Sequence, residues 1–100
     1  MASVFNLNND NHTLSYLNAY HCFGRSTTSV DTLIEASDVS RMHAVIQWHD
    51  KQWLIRDLSQ NGTWINSQKL EKDNAHKLNV GDTVFFGSAD AHGFRVQDAD

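Results

Sequence analysis

No segment of this chain repeats its apolar residues at helical spacing over ~12 residues, and that absence constrains the fold more than any other feature. What recurs instead is short β-prone runs broken by turn residues. The runs fall at 4–7, 13–17, 20–23, 44–48, 52–58, 63–65, 68–70, 83–86 and 94–97, with one further short run at 32–34. Asn8-Asn9-Asp10-Asn11 is a turn signal after the first run. His49-Asp50-Lys51 reads as a hairpin turn, and Asn66-Ser67 as a two-residue turn. Ala44, Ile46 and Trp48 share one face of their run. Trp53, Ile55 and Asp57 share one side of the next, because strand side chains alternate. Roughly ten short strands at this spacing predict an antiparallel β-sandwich or barrel.

One hundred residues make one domain rather than two. Hydrophobic residues at 40% with charged residues at 20% give a globular composition, not a disordered one. Twelve acids against eight cations leave a net charge of -4, which argues against non-specific binding to nucleic acid or to anionic membranes. Ten of the twelve acids are Asp, a turn and cap former. A single cysteine, Cys22, allows no internal disulfide and no cysteine metal site. It fits a reducing compartment, so a cytoplasmic setting is expected. The first eleven residues do not read as a secretory signal, and no apolar run approaches the ~20 residues of a membrane span.

Two polar, turn-rich stretches, 26–31 and 59–62, interrupt the strand pattern. Three motifs lie beside them. Gly24-Arg25 ends one strand, Ser40-Arg41-Met42-His43 runs into another, and Asn61-Gly62-Thr63 enters a third. Each alone has an ordinary reading: a solvated arginine, the end of a turn, a tight Asn-Gly turn. In this order, and with their flanks, they resemble the forkhead-associated (FHA) domain family. Val39-Ser40-Arg41-Met42-His43-Ala44 is similar to that family's second block, and Asp57-Leu58-Ser59-Gln60-Asn61-Gly62-Thr63-Trp64-Ile65-Asn66 to its third. Leu78-Asn79-Val80-Gly81-Asp82-Thr83-Val84-Phe85-Phe86-Gly87 is similar to the block before its last strands. The resemblance covers about 4–97 of a chain read as one domain over 1–100.

The resemblance implies an all-β fold, an antiparallel sandwich of eleven strands in two sheets. It implies binding of phosphothreonine-containing proteins through loops at one end, in signalling by Ser/Thr kinases, with a kinase or its substrate as partner. No cofactor, no metal, no nucleic acid, no membrane and no catalysis are expected, on the charge, the cysteine count and the absence of catalytic motifs. Phosphothreonine brings a charge of about -1.5 to -2 and three acceptor oxygens. Arg25 offers a planar fork of donors, Ser40 a short hydroxyl, Arg41 a second cation and Gln60 an amide donor. Asn61 is assigned to the ligand backbone, since its carboxamide both donates and accepts. Gly24, His43 and Gly62 are assigned to support of the site. Gly24 permits close approach, Gly62 a positive φ, and His43 is a buried scaffold residue rather than a phosphate contact. The family's preference for threonine implies a small niche for the extra methyl, a group whose burial is worth ~0.8 kcal/mol.

Two positions depart from the family pattern. Gln60 stands where many members have Thr, and Asp38 stands where some carry a basic residue. The expected ligand is therefore neutral or basic about three positions after the phosphothreonine. Trp48, Trp53, Trp64, Phe85 and Phe86 read as core or half-buried sheet packing rather than as a ligand platform. The rival binding class is a phospho-independent scaffold that docks or dimerises through a sheet face. An enzyme is disfavoured, because the six His and ten Asp form no zinc motif and neither a nucleophile elbow nor a phosphate loop is present.

Overall fold

The computed structural model describes residues 2–7 and 14–99. Among them are eleven strands and no helix. They are β1 (Ala2–Asn6), β2 (Leu14–Tyr16), β3 (Tyr20–Gly24), β4 (Thr32–Leu33), β5 (Ala44–His49) and β6 (Gln52–Asp57), followed by β7 (Thr63–Ile65), β8 (Gln68–Lys69), β9 (Ala75–Lys77), β10 (Thr83–Phe86) and β11 (Phe94–Ala99). One sheet has the order β2-β1-β11-β10-β7-β8, the other β4-β3-β5-β6-β9. The described pairings are antiparallel except β3 with β4, where Phe23 pairs with Thr32 in parallel. The expected turn at 8–11 lies outside the described residues.

Alternation builds the core. Phe23, Ala44, Ile46, Trp53 and Ile55 of one sheet face Val4, Val84, Phe86, Phe94 and Val96 of the other. Phe23 stacks on Phe86 at 5.2 Å between ring centroids, and Phe94 meets Phe23 edge-on at 5.5 Å. Each such side chain contributes about 1.5–3 kcal/mol on burial, so the central aromatic triad is the main anchor between the sheets. Among the five aromatics expected to pack, Trp53 and Phe86 are buried, and Trp64 and Phe85 are half-buried. Trp48 departs from its expected face partners: at the strand's end it is 41% exposed and leans on Trp53.

Two corrections concern local structure. β9 was not expected, because Ala75-His76-Lys77 has neither β-branched nor aromatic residues. Pairing with β6 makes it a strand, at the edge of its sheet. His49 belongs to β5 and pairs with Gln52, so the turn is Asp50-Lys51 alone. Both residues have positive φ, 51° and 63°, as a two-residue hairpin of the I′ kind requires.

The registers fix the direction of every loop. β3, β6 and β10 run towards one end of the sandwich, and β5, β7 and β11 leave it. The loops 25–31, 34–43, 58–62 and 87–93 therefore gather at that end. The tight turns at 50–51 and 66–67 lie at the other.

Candidate functional site

The loop cluster starts from a steric necessity at Gly24. A Cβ there would sit 2.1 Å from the Arg41 carbonyl oxygen, closer than any real contact. Glycine lets the β4–β5 loop cross β3 directly. The crossing is tied by Arg25 N–H to Ser40 O at 3.0 Å and Ser26 N–H to Arg41 O at 3.1 Å. Arg25 then donates through Nε to Val39 O at 2.9 Å, which orients its exposed guanidinium. Arg41, on the loop that crosses here, is also exposed.

His43 holds this layer from below. It is fully buried. Nδ1 accepts the Ser40 N–H at 3.0 Å, so the ring proton sits on Nε2 and is donated to Gly62 O at 2.7 Å. Burial pushes its pKa down, against the raising effect of the Gly62 bond and of the Asp57 and Asp38 carboxylates. A neutral ring suits the geometry, because protonated Nδ1 could not accept. Gly62 O also accepts the Gly87 N–H at 2.9 Å, so one oxygen joins three loops. Gly62 itself has φ of 108°, a region that side chains resist.

The β6–β7 loop is pinned from its own start. Asp57 Oδ1 accepts from Ser59 N–H at 3.0 Å, Ser59 Oγ at 2.6 Å and Thr63 Oγ1 at 2.9 Å. Ser59 Oγ in turn accepts the Gly62 N–H at 2.8 Å. These bonds deliver Gln60 and Asn61 to the surface. Gln60 N–H donates to Ser40 Oγ at 3.1 Å, so the hydroxyl oxygen is an acceptor here and its proton remains available to donate. Asn61 Nδ2 donates to Asp38 O at 2.9 Å.

Arg25, Ser40, Arg41, Gln60 and Asn61 thus lie on one loop surface, with Gly24, His43 and Gly62 buried beneath. Among the described residues neither the Arg25 nor the Arg41 guanidinium meets a carboxylate; the nearest acid of the loop end to form an ion pair, Asp38, does so with His92. Two uncompensated cations, a hydroxyl and a carboxamide on one surface are donors of the kind that an anion with several acceptors can use. Among the described residues no cluster of His, Cys, Asp and Glu could hold a metal ion. A cavity of about 410 Å³ lies elsewhere, on the open flank between β8 and β9, lined in part by Leu70, His76 and Lys77.

Several residues of the site escaped the sequence reading. The Asp57–Ser59 network carries a local signal, an Asp whose side chain bonds the backbone two residues on. Gly87 closes the family block that begins at Leu78, though no role was read for it, and His92 carries no signal. Gly87, with φ of 87°, packs where a Cβ would lie 2.7 Å from Asp38 O, and His92 Nε2 reaches Asp38 Oδ1 at 3.0 Å.

The family model described as "FHA domain" matches residues 21–87. The chain is 32% identical over 87 residues to "Germ layers disorganized gldi-3" of Caenorhabditis elegans, covering 75% of this chain and 9% of that protein. It is 36% identical over 66 residues to the serine/threonine-protein kinase RAD53 of Saccharomyces cerevisiae, covering 65% of this chain and 8% of the kinase. The chain therefore spans less than a tenth of either relative. The N-terminal FHA domain of Rad53p from S. cerevisiae, solved in complex with a phosphothreonine peptide, superposes with a TM-score of 0.81 at 25% identity, covering 96% of this chain and 90% of that one. Fold, motif order and family match agree, and this chain belongs to the FHA domain family.

Proposed function

We propose that this domain binds phosphothreonine-containing segments of partner proteins through its loop end. One observation carries the reading: Arg25 and Arg41 stand without a carboxylate partner on the same loop end as Ser40, on loops held by a shared network. In this reading Arg25, Ser40, Arg41 and Gln60 bond the phosphate. Asn61 bonds the ligand backbone, and Gly24, His43 and Gly62 keep the loops in place. The phosphothreonine peptide held by the Rad53p FHA domain supports the ligand class. A Ser/Thr kinase or one of its substrates is the partner that would carry such a residue, in a cytoplasmic setting consistent with the lone free Cys22.

The test is a titration of the domain with an oriented phosphothreonine peptide library, alongside phosphoserine and unphosphorylated versions. Binding should require the phosphate. Arg25→Ala should weaken it by about 30-fold or more, the cost of leaving a bound charge without its partner. Binding that survives phosphatase treatment, or that ignores Arg25, would replace this reading with a phospho-independent scaffold acting through a sheet face.

A further inference from the structure

The run of hydroxyls that follows Arg25 has no part in the reading above. Ser26 is buried, while Thr27, Thr28 and Ser29 form an exposed turn. Ser26 touches both arginines of the site: it follows Arg25 in the chain, and its N–H donates to Arg41 O at 3.1 Å. Its Oγ accepts the Thr28 N–H at 3.4 Å and faces the Thr28 hydroxyl at the same distance. The turn therefore folds Thr28 back onto the residue that joins Arg25 to Arg41. Thr28 Oγ1 also meets Ser29 Oγ, at 3.5 Å. Hydroxyl hydrogen bonds of full strength are about 2.5–3.0 Å long, so the Thr28 hydroxyl is weakly held as well as exposed. Asp31, the acid nearest in sequence, is engaged elsewhere: its carboxylate accepts the Cys22 N–H at 2.8 Å and Asn18 Nδ2 at 3.1 Å.

We propose that Thr28 is a phosphorylation site, and that a phosphate on it occupies the donors of Arg25 and Arg41 and closes the loop end to a partner's phosphothreonine. The proposal rests on the phosphothreonine reading above. The step is phosphoryl transfer from ATP in a Ser/Thr protein kinase. Thr28 Oγ bonds the γ-phosphorus, the bond from that phosphorus to the bridging oxygen breaks, ADP leaves with the electron pair, and the hydroxyl proton passes to a base of the kinase. The product carries a charge of about -1.5 to -2 and three acceptor oxygens. Three residues of extended chain span at most ~11 Å, and the turn shortens that, so an arginine and a phosphothreonine side chain can meet across it. A guanidinium that bonds this phosphate has lost those N–H donors for a second one, and the two phosphates repel. Peptide affinity should fall about tenfold or more, even with the repulsion partly screened.

The experiment makes the full chain with phosphothreonine at position 28 and compares it with the unmodified chain. Titration with a phosphothreonine peptide should show the tenfold loss. Phosphorus-31 NMR should show the loop phosphate ionising below its ordinary second pKa of about 6, because a neighbouring cation favours the dianion. Arg25→Ala with Arg41→Ala should move that value back up. The folded unmodified chain, incubated with ATP and a panel of purified Ser/Thr kinases, should take up label at Thr28 by mass spectrometry. Equal peptide affinity with and without the phosphate overturns the proposal. So does a loop phosphate whose ionisation ignores both arginines, and so does a Thr28 that no kinase of the panel labels. An unmodified chain that binds no phosphothreonine peptide fails the functional reading, and this inference with it. Unmodified and modified chains that bind alike fail this inference alone.

Discussion

At the end of the sandwich away from the loops, His21 accepts the Asn18 N–H through Nδ1 at 3.0 Å and turns Nε2 to Thr32 Oγ1 at 2.7 Å. At the loop end, His43 accepts the Ser40 N–H through Nδ1, also at 3.0 Å, and turns Nε2 to Gly62 O at 2.7 Å. Both rings are buried, and both bond the N–H three residues before themselves. The second bond separates them. His21 reaches a hydroxyl on β4, the neighbour of its own strand, so its effect stays at one sheet edge. His43 reaches an oxygen shared with Gly87, and so links the β4–β5, β6–β7 and β10–β11 loops across both sheets. The same local device stabilises a strand edge in one place and shapes a surface in the other.

Substitution separates the two roles most sharply. His43→Ala should cost about 3 kcal/mol, from a buried cavity, an orphaned Ser40 N–H and the loss of one of the two donors to Gly62 O, and should abolish phosphothreonine-peptide binding. His21→Ala should cost about 2 kcal/mol and leave the peptide affinity within about twofold. Urea denaturation and peptide titration of both variants read this directly. Equal loss of binding in the two would erase the distinction.

Acid tests the pair together. Both rings have pKa values held below the ordinary 6.5, chiefly by burial. Below that value the unfolded chain takes up protons that the folded chain refuses. Stability should thus be level above about pH 6.5 and fall as pH drops, by up to about 1.4 kcal/mol per unit for each ring, until the folded rings protonate. Denaturation at pH 7.5, 6.5 and 5.5 measures the slope. Each His→Ala variant should lose its own share of it. A slope that survives in both variants would assign the acid sensitivity to other groups.

The smallest effect belongs to the far turn. Lys51 has φ of 63°, a conformation that costs an ordinary residue about 1–2 kcal/mol. Lys51→Gly should relieve that strain and lose some of the gain to chain entropy, for a net stabilisation of about 0.5 kcal/mol. Its thermal midpoint should rise slightly with no change in peptide affinity. A change in affinity would mean that the two ends are coupled through β5 and β6.

The same contrast explains what could be read from the chain. Alternation located the long strands and the core, because burial on one face is a local pattern. The far turns were legible because Asp50-Lys51 and Asn66-Ser67 carry their own conformational signals, although His49 was placed on the wrong side of the strand boundary. β9 was not legible: Ala75-His76-Lys77 becomes a strand only when β6 lies beside it. At the loop end, Gly24, Ser40 and Asn61 stood out through the order of family motifs, not through any local rule. Their bonds join residues far apart in sequence, such as Gln60 to Ser40 and Asn61 to Asp38. His92 was invisible for that reason, since its partner Asp38 lies 54 residues away.

The doubly bonded Gly62 oxygen has a kinetic consequence. Because His43 and Gly87 both donate to it, three loops share a single fixed point and are ordered before any ligand arrives. A partner then loses little free energy to loop ordering. In the proposed function, encounter is governed by diffusion and orientation, which differ little among similar peptides, while the fit beside the phosphate would govern escape. Peptides that differ at the flanking positions should accordingly arrive at similar rates and be distinguished by their residence times.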